Sequence, residues 1–208
     1  MQFFKPSANG MNLEIQDDHS RRMTDIAFRH LYGAYNNYLQ KQDHLWVKEV
    51  SNDDSRFGKS EYMLSRNNLN ILESEEYTQS IAATLFSHIW LLSAANYYRQ
   101  HYKNNTTIKN TSSPQDIAVQ LNLHKTVISY AEEMHYIRNT IAHLVESDKK
   151  KTSQITDLDF KAAYKYTKVT WVIFCAILRN YGLRPDLGSW GIQTSLYSLP
   201  RTIVCNEK

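Results

Sequence analysis

Apolar residues recur every three or four positions along four stretches of the chain, a spacing that places side chains on one face of an α-helix. Polar segments typical of loops separate these stretches. The pattern predicts long helices at about residues 18–42, 75–103, 123–146 and 157–180. Four long helices with short connections favour an all-α fold, an antiparallel four-helix bundle.

Shorter signals refine this outline. Ser113, Pro114 and Asp116 suit the cap and first turn of an extra short helix. Thr156 is the expected cap of the fourth long helix, and Gly182 its terminator.

Two segments fall outside the four helices. The polar run "SNDDSRFGKS" within residues 43–74 predicts a hairpin insertion or a loop with short helices. The tail, residues 183–208, is expected to be a C-terminal extension that packs back on the body through apolar residues, namely Trp190, Leu196 and Ile203. We therefore expect a single domain, residues 1–208.

Composition narrows the class of protein. A hydrophobic fraction of 42% and a charged fraction of 22% are typical of a soluble globular chain. The net charge of +3 permits anionic partners without requiring them. The longest apolar run, "WVIFCAIL", is about half of what a membrane span needs. With no signal peptide and no metal-type spacing of Cys175 and Cys205, we expect a cytoplasmic protein without a membrane partner.

The third long helix carries a polar ridge beside its apolar stripe. The stripe is predicted to face the core and consists of Val127, Tyr130, Met134, Ile137, Ile141 and Leu144. At about 100° per residue, Asn139 and His143 lie on the opposite side, with His135 and Arg138 on the flank. Asn139 and His143 are four apart, so their side chains can touch. An arginine followed at this distance by a histidine arises about once by chance in such a chain, so an ordinary solvated face also fits.

The stretch "IRNTIAHL" resembles the HEPN superfamily, whose hallmark is an arginine, a polar residue and a later histidine; here these are Arg138, Asn139 and His143. The resemblance covers residues 75–181. It implies an all-α bundle that commonly dimerises. Many such domains are metal-independent endoribonucleases of toxin–antitoxin, phage-defence and RNA-processing systems, and others are inactive RNA-binding or assembly modules.

One position departs from a large toxin branch of that superfamily. That branch is paired with nucleotidyltransferase antitoxins and carries tyrosine two residues after the histidine, where this chain has Val145. Regulation through that tyrosine is therefore not expected. An antitoxin or other regulatory protein stays open as a partner.

The residue types suit RNA cleavage by the RNA's own 2′-hydroxyl, which leaves a cyclic phosphate. Histidine moves protons near neutral pH, and arginine offers a charged fork matched to phosphate. Because one histidine does not readily serve as both base and acid, a two-fold dimer would supply the second. The sequence therefore predicts catalytic roles for Arg138, Asn139 and His143 in a site shared across a homodimer, without a cofactor.

Basic residues near the ridge are candidates for holding the RNA backbone. We predict this role for four residues, His135, Lys149, Lys150 and Lys151. Three further lysines share a face of the fourth helix and fit either RNA contact or a solvated surface; they are Lys161, Lys165 and Lys168.

Three other interpretations stay open. The same fold could be a catalytically inactive RNA-binding or protein-assembly module, or an unrelated bundle could carry the motif by chance. Glu132 and His135 have the spacing of a di-iron ligand pair. A metal site needs a second such pair, but the residue three before His88 is Leu85, so this interpretation is disfavoured.

Overall fold

The computed structural model describes residues 2–7, 10–15, 18–44, 59–102, 107–110, 113–143 and 158–185. Within them the chain forms five helices: α1 (Asp18–Gln42), α2 (Lys59–His101), α3 (Pro114–Gln120), α4 (Lys125–His143) and α5 (Phe160–Asn180). It also forms three short strands: β1 (Gln2–Ser7), β2 (Gly10–Ile15) and β3 (Arg184–Pro185).

Helices make up the body of the molecule, which confirms the all-α class. α1 packs along α2, α5 packs against α2 and α4, and the short α3 rests on α4. Every helix therefore has at least one buried side, as its apolar periodicity requires.

Aromatic side chains from three helices fill the centre of the core. Trp90 on α2 is fully buried and lies 5.2 Å from Phe174 on α5 and 6.4 Å from Phe28 on α1, measured between ring centroids. Tilted rings at such distances pack closely and contribute more than their buried area alone. The core thus fixes α2 between α1 and α5, and α2 contributes one side chain to the candidate functional site.

The predicted start of the second long helix near residue 75 is wrong. Helix α2 begins at Lys59 and runs for 43 residues. Residues 59–74 contain no glycine or proline, so nothing local stops the helix, and Leu69 buries its side chain. Of the segment 43–74, predicted as a hairpin or short helices, residues 59–74 are therefore the first turns of α2. Residues 45–58 lie outside the described part.

The predicted cap of the last long helix is also wrong. Helix α5 begins at Phe160 rather than near residue 157, and the side chain of Asp159, not Thr156, accepts a hydrogen bond from the backbone N–H of Ala162 at 2.9 Å. A carboxylate from α2 completes this end, because Glu76 accepts from the N–H of Phe160 at 3.0 Å. Long-range capping of this kind has no local sequence signal.

Two other predicted helix ends are confirmed. The hydroxyl of Ser113 accepts from the N–H of Asp116 at the start of α3, with Pro114 in the first turn. Gly182 follows the end of α5 with φ at +71°, a left-handed conformation that glycine adopts without strain.

Replacing Asp159 by alanine is expected to lower the free energy of unfolding by about 1 kcal/mol, because the cap of α5 loses its acceptor. Urea denaturation followed by circular dichroism measures the change. Lys161, exposed in the same turn, provides the control: Lys161→Ala is expected to change stability by less than about 0.5 kcal/mol. Equal losses in both variants would contradict the assignment of the cap.

A small antiparallel sheet, in the order β2-β1-β3, joins the two ends of the described chain. β1 and β2 form a hairpin, and β1 also pairs with β3 through Phe3 opposite Pro185 and Phe4 opposite Arg184. The hydrophobic pattern of the chain does not predict these strands. Leu183, just before β3, is buried, so the beginning of the predicted tail does pack on the body. The three apolar residues named for that contact lie outside the described part.

No helix in the described ranges combines the length and the apolar character that a membrane crossing needs.

Candidate functional site

One side of α4 is buried in the core, and this determines which way the polar side chains on its other sides face. Ala131, Met134 and Ile137 are buried in the core, and Val127, Tyr130 and Ile141 pack partly against it. The predicted apolar stripe is thus confirmed as far as the structure describes it; Leu144 lies outside. The neighbouring flank, which carries His135 and Arg138, is left half-buried and faces α2.

Four side chains on α2 and α4 form a continuous hydrogen-bonded chain, which we name the α2–α4 polar network: His88, His135, Asn139 and Arg138. Arg138 Nη1 donates to Asn139 Oδ1 at 2.8 Å. Asn139 Nδ2 lies 3.0 Å from His135 Nε2, and His135 Nδ1 lies 3.0 Å from His88 Nε2. The network runs from a half-exposed guanidinium to a buried imidazole.

The two histidine rings meet edge to edge rather than face to face. Their planes differ by 18° and their centroids are 5.3 Å apart, as expected for nearly coplanar rings joined by one in-plane nitrogen–nitrogen hydrogen bond. Such a bond needs one N–H donor and one bare acceptor nitrogen. At least one of the two rings is therefore neutral.

Burial favours the neutral form of both rings. Burial, together with the smaller effects of the positive charges of His135 and Arg138, lowers the pKa of His88 to about 4. Burial and Arg138 also lower the pKa of His135, although Asp116 on α3 acts in the opposite direction. Near neutral pH, Arg138 is therefore the one charged member of the network.

The structure brings only part of the predicted site together. Arg138 and Asn139 are bonded to each other, and His135 joins them, but both of its ring nitrogens are engaged within the protomer. Its predicted contact with RNA stays a prediction, and that contact would require one of these bonds to open. His143 is the last residue of α4; its side chain lies outside the described residues.

Of the basic residues expected to hold RNA, the run of lysines after α4 also lies outside the described part; these are Lys149, Lys150 and Lys151. Lys165 is engaged within the protomer: its ammonium donates to Glu133 at 2.9 Å and sits over the ring of Tyr130 at 4.7 Å. Lys161 and Lys168 are exposed and line, with Lys165, a groove of about 420 Å³ between α4 and α5.

Sequence reasoning missed His88 as a member of the site. It considered this residue only as a metal ligand. The signal available was a single imidazole inside the apolar run "LFSHIWLL", since a buried polar group requires a partner. Which partner it has depends on how α2 packs on α4. Among the described residues, no group of three or more histidine, cysteine or acidic side chains is placed to hold a metal ion.

Comparison of the chain with protein-family models, curated proteins and solved structures finds no match in any of the three. The functional interpretation therefore depends on the polar network and on the motif along α4.

Proposed function

We propose that the chain is a HEPN-type endoribonuclease that acts as a homodimer in the cytoplasm, with α1, α2, α4 and α5 as its antiparallel four-helix bundle. The observation that supports this best is the Arg138–Asn139 pair. A half-exposed guanidinium is held at 2.8 Å by an amide that is itself anchored on a histidine. A catalytic cation needs this combination of access and fixed direction.

Arg138 is suited to bind the phosphate that is cleaved. A guanidinium has five N–H donors, and the described contact with Asn139 uses one of them. The remaining donors form a planar fork that matches two phosphate oxygens. Because its histidine neighbours are neutral near pH 7, the positive charge is not competing with a second cation in the network.

His143 is the proposed proton-transfer group. Helical geometry places it one turn beyond Asn139 on the same side of α4. In the proposed reaction the 2′-hydroxyl attacks the adjacent phosphorus while a histidine takes its proton. The bond to the 5′-oxygen then breaks, a second histidine protonates that oxygen, and a 2′,3′-cyclic phosphate remains. Arg138 stabilises the charge on the phosphorane.

The second histidine is proposed to come from another copy of the chain. His135 and His88 are in the same protomer, but they hold each other and Asn139 in hydrogen bonds. Neither has a bare nitrogen facing the exposed end of the network. A two-fold dimer that joins two α4 ridges would supply two copies of His143 to one site. A toxin or phage-defence role, controlled by a neutralising protein, would suit such an activity.

The purified chain is expected to cleave single-stranded RNA in EDTA and to leave 2′,3′-cyclic phosphate ends, which mass spectrometry of the products identifies. Light scattering after gel filtration is expected to give twice the chain mass. Salt-sensitive RNA binding without cleavage would instead favour the inactive binding module. A monomer that neither binds nor cleaves RNA would contradict both proposals.

A further inference from the structure

We propose that the buried His88 is a positioning residue for the RNA site: through His135 and Asn139 it fixes the direction in which the Arg138 guanidinium points. Its effect on catalysis rests on the proposed ribonuclease function. The hydrogen-bond chain that transmits the effect does not, and it is tested separately below.

The hydrogen bonds of the α2–α4 polar network can all form in only one donor-to-acceptor direction. Arg138 can only donate, so the oxygen of the Asn139 amide must face it and the NH₂ group must face His135. His135 Nε2 must then be a bare acceptor, which places the ring proton on Nδ1. That proton is donated to His88 Nε2, so the proton of His88 lies on Nδ1. Arg138, which can only donate, and His88 Nε2, which accepts, thus favour the same tautomer of His135 from opposite ends of the network.

His88 is the buried end of the α2–α4 polar network, and its surroundings show what it contributes. Its side chain is 2% exposed, and its Nδ1 has no hydrogen-bond partner among the described residues. An apolar side chain at this position of the core would avoid the unfavourable burial of that N–H group. What histidine adds is the acceptor at Nε2, and the only described group that uses this acceptor is His135.

Protonation of His88 would reverse the direction of the hydrogen bonds in the α2–α4 polar network. A charged imidazole donates from both nitrogens, so His135 Nδ1 would have to accept and its proton would move to Nε2. The N–H at His135 Nε2 and the NH₂ group of Asn139 would then be two donors facing each other. Rotating the Asn139 amide would relieve this clash, but it would turn the NH₂ group toward Arg138, which is also a donor. The charged and titratable groups that act on this pair are Arg138, from α4, and Asp116, from α3. One proton at a buried position would therefore release the guanidinium from its amide.

Two substitutions separate the acceptor from the bulk of the ring. His88→Gln keeps an oxygen close to the position of Nε2, whereas His88→Leu fills the space and removes the acceptor. Ser87→Ala is the matched control, because the Ser87 hydroxyl is also buried on α2 but bonds Thr167 on α5 at 3.0 Å. It therefore lowers stability without touching the network.

The tautomers are measured first, by long-range ¹H–¹⁵N correlation spectra of the histidine rings at pH 7. We expect protons on Nδ1 of both His88 and His135 in the wild type, the same His135 tautomer in His88→Gln, and a changed or exchanging His135 in His88→Leu. A proton on His135 Nε2 in the wild type, or an unchanged His135 in His88→Leu, would overturn the proposal. This result is independent of whether the protein cleaves RNA.

The second readout is RNA cleavage. His88→Leu is expected to lower kcat by about 10- to 100-fold through misplacement of Arg138, whereas His88→Gln recovers most of it and Ser87→Ala stays close to wild type. Cleavage by the wild type is expected to decline on acidification in a step that His88→Gln lacks. Equal kcat losses in all three variants, or no loss in His88→Leu, would show that His88 is structural only.

Discussion

Alanine at Arg138 or at His143 is expected to abolish RNA cleavage while leaving the helical content and the dimer intact. Loss of a proton-transfer histidine costs about 10²–10⁴ in rate, and a two-fold site loses both copies at once. Loss of a preorganised cation at the phosphorane costs about 10²–10³. Gel assays of RNA cleavage, with circular dichroism and light scattering on the same samples, measure these effects.

The control for both variants is Glu132→Ala. Glu132 is exposed on the same helix and has no role in the polar network, so its variant is expected to cleave RNA at the wild-type rate. Arg138→Lys is a further test, since lysine keeps the charge but lacks the planar fork. It is expected to retain binding to RNA and to lose most of the cleavage. Full activity of either alanine variant would remove the corresponding residue from the mechanism.

The free energy of unfolding is expected to fall as the pH is lowered from 6.5 towards 4. Among the histidines, His88 is expected to contribute most to this pH dependence. In this window the unfolded chain binds a proton at His88 that the folded chain excludes, so the free energy of unfolding rises with pH. A pKa that drops from 6.5 to about 4 on folding corresponds to roughly 3 kcal/mol. His135, whose pKa is also lowered, adds an effect of the same sign.

Urea denaturation at a series of pH values measures this dependence. Carboxylates that titrate in the same window affect wild type and variant alike, so the informative quantity is the difference between wild type and His88→Gln. We expect the variant to lose less stability on acidification, by up to roughly 3 kcal/mol at pH 4. Parallel curves for the two proteins would show that His88 is not held neutral by the fold.

The local elements that could be predicted are those with short-range causes. The bounds of α1, residues 18–42, agree with the prediction, because an unbroken apolar periodicity and the absence of proline define them within the helix itself. The cap of α3 was found for the same reason. The start of α2 was missed because residues 59–74 are polar and carry exposed apolar side chains such as Leu64 and Ile71, so their helical state has little periodic signal.

The candidate site also has a part that short-range spacing predicts and a part that it does not. Arg138, Asn139 and His135 are neighbours along one helix, so their grouping follows from the helical repeat. His88 is 47 residues away from His135 in the chain, and no spacing rule connects them. The proposed contact with a second copy of the chain likewise depends on the shape of the folded surface, which the spacing of apolar residues does not predict.

The sequence by itself determined the all-α class, several helix ends and the face of α4 that carries the arginine and the amide, since these depend on contacts within about four residues. Only the tertiary structure decided that an imidazole from α2 lies behind that ridge and that burial keeps it neutral. Desolvation depends on what packs around a group, and that packing joins segments far apart in the chain. The direction of the guanidinium, and with it the chemistry we propose, depends on this packing.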